Sequence, residues 1–564
     1  MPSVRKGSSL SSCRRRRSPR RWIASRESIK SNRNWSKRPR RCTPTPPRYM
    51  PPSRTCAPGT SCGESRPNGN CWRSCFSSWN SKSAGYFSTY GLDGDTATRV
   101  ATQFEYLENE KWRNAVLSPT CTFYDLLKIS AESPAMIIYL DTVLSQGNNG
   151  KVANENYARE LLELFTLGVN NGYDQNDITV LSRCWTGWSV QKVAVSDAFN
   201  PFASPLSGSV NTNVGVWALN YKAGDHYTNS KKLFPDKTVP PRFGPPWAGR
   251  MYQLDLSSRS GNAGMQDGYD VLAHLANLPF TEEFISVKLC RLFVHDNFSI
   301  GYDFTSGGLS AEGQLVRQCM LAWENSSPKG QVRAVLSAIF NSSLFRGNGA
   351  ALQKAKTPLE FTISAIRALR SSTDGTGNLS TLTADTDGYS ISGTLNFSEL
   401  DTRYPLNRMG GMQLFDRQEP NGYPEDAASW ISAGTLAERL RWVQTYCMST
   451  SDTAKSDGSA YANNSVCDPL ALLRSKLALQ NPPGSVTNEV SVANYLLSIL
   501  FPGEGAANLG LYRAATVAFL SHAEDGVTVS PLGGLSTAGN PSPLENRIRG
   551  AVALLLSLER FQEQ

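Results

Sequence analysis

Three glutamates and one arginine form the most regular group of chemically capable side chains in this sequence. Glu155, Arg159 and Glu163 are four residues apart, and Glu160 lies among them. Residues at this spacing share one face of a helix, where an acid, a base and an acid would line up. The spacing favours a solvated ladder of ion pairs, and a carboxylate cluster for acid–base or metal chemistry is the alternative.

His226 is the second candidate for chemistry. It is one of four histidines and lies in a polar segment, residues 224–231. Histidine titrates near neutral pH or binds metal ions, but a single loop histidine is more often a surface residue that forms hydrogen bonds. Because no second histidine stands at helical spacing from it, the sequence predicts no metal site, and it indicates no particular cofactor. The candidate catalytic residues are Glu155, Arg159, Glu160, Glu163 and His226.

Aromatic, amide and lysine side chains supply the candidate binding residues. Trp185 and Trp188 enclose a glycine, which is typical of a packed corner and also of a platform on which a sugar or another flat ligand stacks. Further on, a segment rich in Gly and Pro leads through Tyr423 to Trp430 and is either a pocket wall or a structural connection. The candidate binding residues are Asn154, Asn156, Trp185, Trp188, Lys231, Tyr423 and Trp430.

Helices have to position these residues, because apolar side chains recur at spacings of three and four from about residue 93 onward. Residues 154–168 split into an apolar side and a charged side, and Gly168 ends the predicted helix. We call residues 154–168 the signature segment. After a turn, Asp174 can cap a helix that runs through Ser182.

Three further helices are predicted from their first turns. Residues 281–295 form an amphipathic pattern with Glu282 and Glu283 in the first turn, where their charges match the helix dipole. Residues 357–360 and 542–545 each read Thr or Ser, then Pro, Leu and Glu. This order is typical of a capping box with proline in the first turn.

The pattern as a whole predicts a mainly α fold, a large multi-helix globular body with loop insertions and a few short strands. Alternating or Pro-rich stretches place the insertions near residues 189–250, 371–400 and 449–466. We expect residues 89–564 to form a single large helical domain, preceded by a disordered basic low-complexity segment over residues 1–88.

The first part of the chain differs from the rest in charge and composition. Residues 1–80 hold 19 Lys and Arg against two acids, whereas the remainder carries a net charge of −8. Three interpretations compete for this segment: a nucleic-acid-binding tail, a disordered targeting segment, and translation of a GC-rich gene in the wrong frame. Because Arg, Ser, Pro, Cys and Trp are enriched together, the composition favours the third. The acidic body gives no general attraction for phosphate.

Several protein classes lack their usual signatures here. No stretch approaches the roughly 20 apolar residues that span a bilayer, and the chain starts without the apolar core of an export signal. The sequence holds no nucleophile elbow, phosphate-binding loop, dinucleotide fingerprint or zinc-protease helix. The twelve cysteines include no C-x-x-C pair, so the redox compartment stays undecided.

The signature segment, followed by Tyr173, Asp177 and residues 186–188, resembles the signature of a large bacterial family, domain of unknown function 1800. Further agreement comes from His226 with Lys231, and from residues 267–268, 288–294, 356–360 and 414–424. The resemblance spans about residues 91–564. It departs at Tyr227, where relatives tend to have Asp, and before the signature, where relatives carry a helical region with Trp and His.

The resemblance implies an exported protein of Gram-negative bacteria, periplasmic or extracellular. Relatives are often encoded beside a second exported family that resembles sulfatases and phosphatases, which makes such a protein a candidate partner. The family's activity is not established, so the resemblance names no reaction and no ligand.

The sequence leaves three functions open. The first is an accessory or binding protein that holds a cell-envelope polymer or a partner protein in a groove beside the signature segment. The alternative is a hydrolase or lyase of envelope or extracellular polymer that uses the cluster of Glu, Arg and His. A third, nucleic-acid binding, depends wholly on residues 1–80.

Overall fold

The computed structural model describes Leu92 and residues 94–206, 215–347, 354–369, 405–412, 419–448, 469–539 and 541–563. The described residues are mainly α-helical, and their strands form two small two-stranded sheets. The predicted fold class is therefore confirmed. The expectations for residues 1–88, and for insertions at 371–400 and 449–466, lie outside the described residues.

Helices make up most of the described chain. In the first part they are α1 (Gly94–Leu117), α2 (Phe123–Ala131), α3 (Pro134–Tyr139), α4 (Asn156–Glu160), α5 (Gln175–Cys184), α6 (Gln266–Leu275), α7 (Pro279–Phe293), α8 (Ala311–Asn325), α9 (Val332–Asn341) and α10 (Ser343–Arg346). In the second part they are α11 (Pro358–Leu369), α12 (Pro405–Arg408), α13 (Ala433–Met448), α14 (Pro469–Leu477), α15 (Glu489–Leu500), α16 (Ala506–Ser521), α17 (Pro543–Leu556) and α18 (Glu559–Gln562). None of the helices described combines the length and the apolar character that a membrane crossing requires.

Strands β1 to β3 lie in the stretch near residues 189–250 that the sequence marks as irregular, and β4 follows just after it. Strand β1 (Trp188–Val193) pairs antiparallel with β2 (Val216–Tyr221), so Trp188 stands opposite Tyr221. Strand β3 (Lys231–Leu233) pairs antiparallel with β4 (Leu254–Leu256). The sheets therefore bring Trp188, Tyr221 and Lys231 into the same part of the fold that holds the candidate site residues.

Two large hydrophobic cores hold the helices together. The first core draws its buried residues from Leu92 to Ile339, and the second from Phe361 to Phe561. A third, small cluster consists of Leu406, Met412, Tyr423 and Trp430. Burial of apolar surface on this scale is the main source of stability in such a body, and isolated helix propensity contributes little.

The signature segment is helical with its apolar side inward, as the sequence predicts. Tyr157, Leu161 and Phe165 are buried, whereas Glu163 is partly exposed. The segment is not a uniform α-helix, because α4 passes into a π-helical turn over Leu161–Phe165. Gly168 ends it with a φ of 94°, a conformation that glycine adopts without strain. Helices with a π turn are uncommon and such turns are frequent at functional sites.

The predicted helix starts are formed, with one difference. Asp174 caps α5 through a capping box with Asp177. Thr357 and Glu360 form the expected reciprocal pair, with the Thr357 amide donating to Glu360 at 2.9 Å. At α17, Ser542 accepts a hydrogen bond from the Glu545 amide. The Glu545 carboxylate pairs with Arg549 at 2.7 Å and does not accept a bond from the Ser542 amide, so the capping box is only half formed.

The first turn of helix α7 lies in an environment that the sequence does not indicate. Glu282 and Glu283 are fully buried, and the match of their charges to the helix dipole does not account for their burial. Two distant cations explain their burial: Lys329 lies 3.0 Å from Glu282, and Arg242 pairs with both carboxylate oxygens of Glu283. Burial raises the pKa of Glu282 to about 8, although Lys329 opposes the rise.

Candidate functional site

The charged face of the signature segment forms the ladder that its spacing indicates. Arg159 lies 3.3 Å from Glu155 and 3.5 Å from Glu163. Helix α5 completes the group, because Gln175 and Thr179 each donate to Glu155 at 2.8 Å. We call Glu155, Arg159 and Glu163 the surface ladder, since between a quarter and two fifths of each side chain is exposed.

Glu160 stands apart from the surface ladder in its electrostatics. Burial raises its pKa, repulsion by Glu163 raises it further, and Arg159 opposes both effects. A carboxyl group with a raised pKa keeps its proton nearer to neutral pH, which is the property that a general acid needs. The environment of Glu160 therefore suits proton transfer.

His226 is buried rather than exposed in a loop. Its Nδ1 lies 3.1 Å from the Thr186 carbonyl oxygen and 3.2 Å from the Thr186 hydroxyl. That hydroxyl donates to the Arg183 carbonyl, so Nδ1 carries the proton and donates to Thr186. On the other side of the ring, Nε2 lies 3.3 Å from Asp267. Asp267 therefore gives His226 a carboxylate neighbour from a distant part of the chain.

Asp267 is the centre of a buried charge cluster. Lys231 donates to one of its oxygens at 2.5 Å and Arg259 to the other at 2.7 Å. Burial opposes ionisation of Asp267, but the contacts with His226, Lys231 and Arg259 outweigh burial and lower its pKa. We call His226, Lys231, Arg259 and Asp267 the buried cluster. Asp270 extends it, because Arg259 also pairs with Asp270 at 2.7 Å.

Close packing seals the buried cluster from solvent except at Arg259, whose side chain is 24% exposed. A Cβ atom added at Gly264 would lie 2.4 Å from the His226 ring and 2.5 Å from the Tyr221 hydroxyl. The His226, Lys231 and Asp267 side chains have no exposed surface. A reactant therefore has no path to these groups in this conformation, and the cluster fixes the chain around β3 and α6.

The two signature tryptophans belong to the core. Trp185 and Trp188 are each 1% exposed and lie edge to face with their ring centres 4.9 Å apart. Tyr157 and Tyr269 continue the row on either side, at 4.7 and 5.4 Å. Of the two interpretations that the sequence leaves open, the geometry fits the packed corner.

The remaining binding candidates fall into two places. Asn154 accepts a hydrogen bond from the amide of Asn156 at 2.9 Å, so both help to start α4. Tyr423 and Trp430 lie in the small third core, and the Trp430 indole donates to the Pro424 carbonyl at 2.9 Å. These bonds fix the loop before α13.

An open cleft of about 410 Å³ lies beside that loop. Its walls are the end of α7 and residues 421–426. The lining residues are Lys288, Arg291, Asp296, Asn421, Gly422, Tyr423, Pro424, Glu425 and Asp426. Tyr423 is the one candidate binding residue among them.

Every carboxylate of the cleft is held by the protein. Glu425 pairs with Lys288 at 2.6 Å, and Asp426 accepts from the Ser429 amide at 2.9 Å. Asp296 pairs with Lys354 and accepts from the Ala427 amide at 2.7 Å. These bonds tie the loop to α7 and leave little negative charge without a partner inside the cleft.

Arg291 is the cation of the cleft with capacity to bind a ligand. Its Nε donates to the Phe298 carbonyl at 2.8 Å, which orients the guanidinium. Within the part of the chain that the structure describes, this is the hydrogen bond that Arg291 makes, so its terminal amino groups can meet an anion in the cleft.

Bonds join Arg159 to Glu155 and Glu163 but, within the described chain, do not extend from these residues to His226. Among the described residues, no hydrogen bond or ion pair joins His226 to Glu155, Glu160 or Glu163, and no group of three or more His, Cys, Asp or Glu residues is arranged to hold a metal ion. The surface ladder, the buried cluster and the cleft are three separate arrangements.

Comparison with known proteins confirms the family that the signature segment resembles. A family model described as protein of unknown function, DUF1800, matches residues 94–562. The chain belongs to this family. No curated protein and no solved structure matches it. The DUF1800 match covers both cores and all three arrangements, so each is part of the family domain.

Sequence reasoning missed the partners of the candidate residues. Asp267 and Arg259 complete the buried cluster, and Lys288, Arg291 and Asp296 form the cleft. Residues 267–268 and 288–294 are among those that carry the family resemblance, and this was the only sign in the sequence that Asp267, Lys288 and Arg291 belong to a site. Contacts between positions so far apart along the chain cannot be read from local spacing.

Proposed function

We propose that this DUF1800 protein is a non-catalytic binding protein of the cell envelope, which holds an acidic polymer in the cleft beside α7. The observation that carries the proposal is Arg291, oriented by Phe298 in the cleft wall. An arginine in such a position suits carboxylate or phosphate groups, because its planar guanidinium offers parallel donors.

The shape and lining of the cleft support a polymer as the ligand. It is open, and its lining mixes Asn421, Tyr423 and several charged groups. Polar lining residues suit a hydroxyl-rich chain, and an apolar ligand would require a more hydrophobic pocket. Because the carboxylates are engaged with Lys288, Lys354 and backbone amides, they repel an acidic ligand less than their number indicates.

Binding of polygalacturonate, a carboxylate-bearing polysaccharide, to the purified chain tests the proposal, with neutral dextran of similar length as the comparison. We expect Arg291→Gln to weaken the affinity for polygalacturonate at least about tenfold, which is the worth of one charge-assisted contact. Arg333→Gln is the matched control, since Arg333 is an exposed arginine of α9 that does not line the cleft.

Equal binding of dextran and polygalacturonate would contradict an anionic ligand. Equal binding by the wild type and Arg291→Gln would contradict the cleft as its site. Isothermal titration calorimetry at two salt concentrations separates a specific contact from general electrostatic attraction, which falls steeply with salt.

Glu160 favours a second candidate function, cleavage of an envelope or extracellular polymer with Glu160 as the general acid. Burial and repulsion by Glu163 raise the pKa of Glu160, which favours the protonated form that a general acid uses. In an assay of polymer cleavage, Glu160→Gln should abolish activity while leaving polygalacturonate binding unchanged. Cleavage that survives this substitution would remove the hypothesis.

Export belongs to the same proposal and is supported by the resemblance of the signature segment. The candidate partner is an exported sulfatase- or phosphatase-like protein encoded nearby. Fractionation of host cells with an antibody against residues 94–562 tests the location, and co-purification from the periplasmic fraction tests the partner. Translating the upstream DNA in its other two frames tests whether residues 1–88 come from a shifted frame.

A further inference from the structure

Two buried cysteines on neighbouring helices lie outside the arrangements described above. Cys290 is on α7 and Cys319 on α8, and both side chains are fully buried in the first core. The two helices pack against each other. Both residues are free thiols in this structure.

Ionic contacts at both ends of the helix pair show that α7 and α8 run antiparallel. Lys329 bridges Glu282, near the start of α7, and Glu324, near the end of α8. At the opposite end, His295 lies just beyond α7 and 3.7 Å from Glu312, near the start of α8.

This register brings the two cysteines to nearly the same level. Cys290 precedes His295 by about 7.5 Å along its helix, and Cys319 follows Glu312 by about 10.5 Å, at 1.5 Å per residue. Both side chains are buried in the same core, on helices that pack against each other. The Cys319 side chain and burial together raise the pKa of Cys290, which requires the two thiols to lie close to each other.

We propose that Cys290 and Cys319 form a disulfide bond when the chain folds in an oxidising compartment. The bond would link α7 to α8 through the first core. It would thereby fix the helix that carries Lys288 and Arg291 of the cleft. The inference does not depend on which ligand the cleft binds.

The bond forms during folding rather than in the folded protein. The attacking species is a thiolate, and a buried thiol with a raised pKa is poorly ionised. Before the helices close, one cysteine thiolate attacks the disulfide of an oxidant such as oxidised glutathione and releases one reduced glutathione. The second cysteine thiolate then attacks the mixed disulfide and releases the other. Two protein thiols and one oxidised glutathione give one protein disulfide and two reduced glutathione molecules.

Cell-free synthesis of the full chain tests the proposal, with one reaction in a glutathione redox buffer and one in dithiothreitol. Free thiols are alkylated, and the chain is digested with trypsin. In the oxidised reaction we expect residues 289–291 to be recovered linked to residues 318–329, and in the reduced reaction both peptides should be alkylated. Reduction should lower the melting temperature by roughly 5 °C or more.

The double variant Cys290→Ala with Cys319→Ala should show no such shift between the two reactions. Cys184→Ala is the matched control, since Cys184 is equally buried in the same core, and it should retain the shift. Recovery of both peptides in alkylated form from the oxidised reaction, or linked only to other cysteines, would overturn the proposal. The peptide result is obtained on the wild-type chain, so the decision does not require the variants to fold.

Discussion

The surface ladder and the buried cluster use the same kinds of side chain for different purposes. In the surface ladder, Arg159 is 38% exposed and its ion pairs are 3.3 and 3.5 Å long. In the buried cluster, Lys231 and Asp267 are 0% exposed and 2.5 Å apart. Burial makes loss of one partner expensive, because the remaining charge stays without water. Regular spacing along the sequence therefore identifies charges that interact, but burial decides whether the fold depends on them.

Replacement of Asp267 should give the largest effect. Asp267→Asn keeps the size of the side chain but leaves Lys231 without its carboxylate and Arg259 with Asp270 alone. We expect a loss of about 3–5 kcal/mol in the free energy of unfolding, measured with urea. The surface counterpart, Glu155→Gln, should lose less than about 1 kcal/mol. Similar losses in both variants would show that burial does not distinguish the two groups.

Glu282 extends the comparison between buried and exposed charges, because it is a buried acid that holds its proton. Its pKa is raised to about 8, so the folded protein keeps a proton that the unfolded chain releases near pH 4.5. The stability contributed by this group is therefore present below pH 4.5 and is lost as the pH rises through about 8. Glu282→Gln should remove this decline, on the order of 3 kcal/mol between pH 5 and pH 8.5. Urea unfolding across this pH range measures it, and an unchanged slope would contradict the assignment.

Gly264 tests how tightly the buried cluster is packed. Gly264→Ala introduces a methyl group against His226 and Tyr221, and we expect a loss of about 1–3 kcal/mol. Gly224→Ala is the control, because a Cβ atom there meets no atom within 4 Å. Thermal unfolding of both variants gives the difference, and equal melting temperatures would mean that the buried cluster has room to adjust.

Arg159 should give the smallest effect. Arg159→Gln removes both ion pairs of the surface ladder, and exposed pairs of this spacing contribute roughly 0.3–0.5 kcal/mol each. The loss should shrink further at 1 M salt, where such charges are screened. A loss above about 2 kcal/mol that persists in salt would show that the surface ladder supports the fold as the buried cluster does.

Local patterns predicted local structure well. The helical signature segment, the Asp174 cap and the mainly α architecture follow from spacing and capping residues, and these depend on neighbours in the sequence. The environments of His226 and Glu282 do not follow, because their partners Asp267 and Lys329 are more than 40 residues away along the chain. A polar loop sequence gives no sign that distant segments will cover it. The cleft was missed for the same reason, since residues 288 and 425 meet only in the folded chain.

The π turn of the signature segment constrains how this part of the chain can change in length. A π turn contains one residue more than an α turn, so deletion of Leu164 would allow the segment to rewind as a continuous α-helix. Because the π turn absorbs the extra residue, the residues that follow would keep nearly the same orientation relative to α4, whereas a deletion in a uniform α-helix would rotate them by about 100°. Phe165 could then keep its side of the helix, and Gly168 could still end it. The π turn is therefore the part of this segment that can lose one residue at the lowest cost to the core.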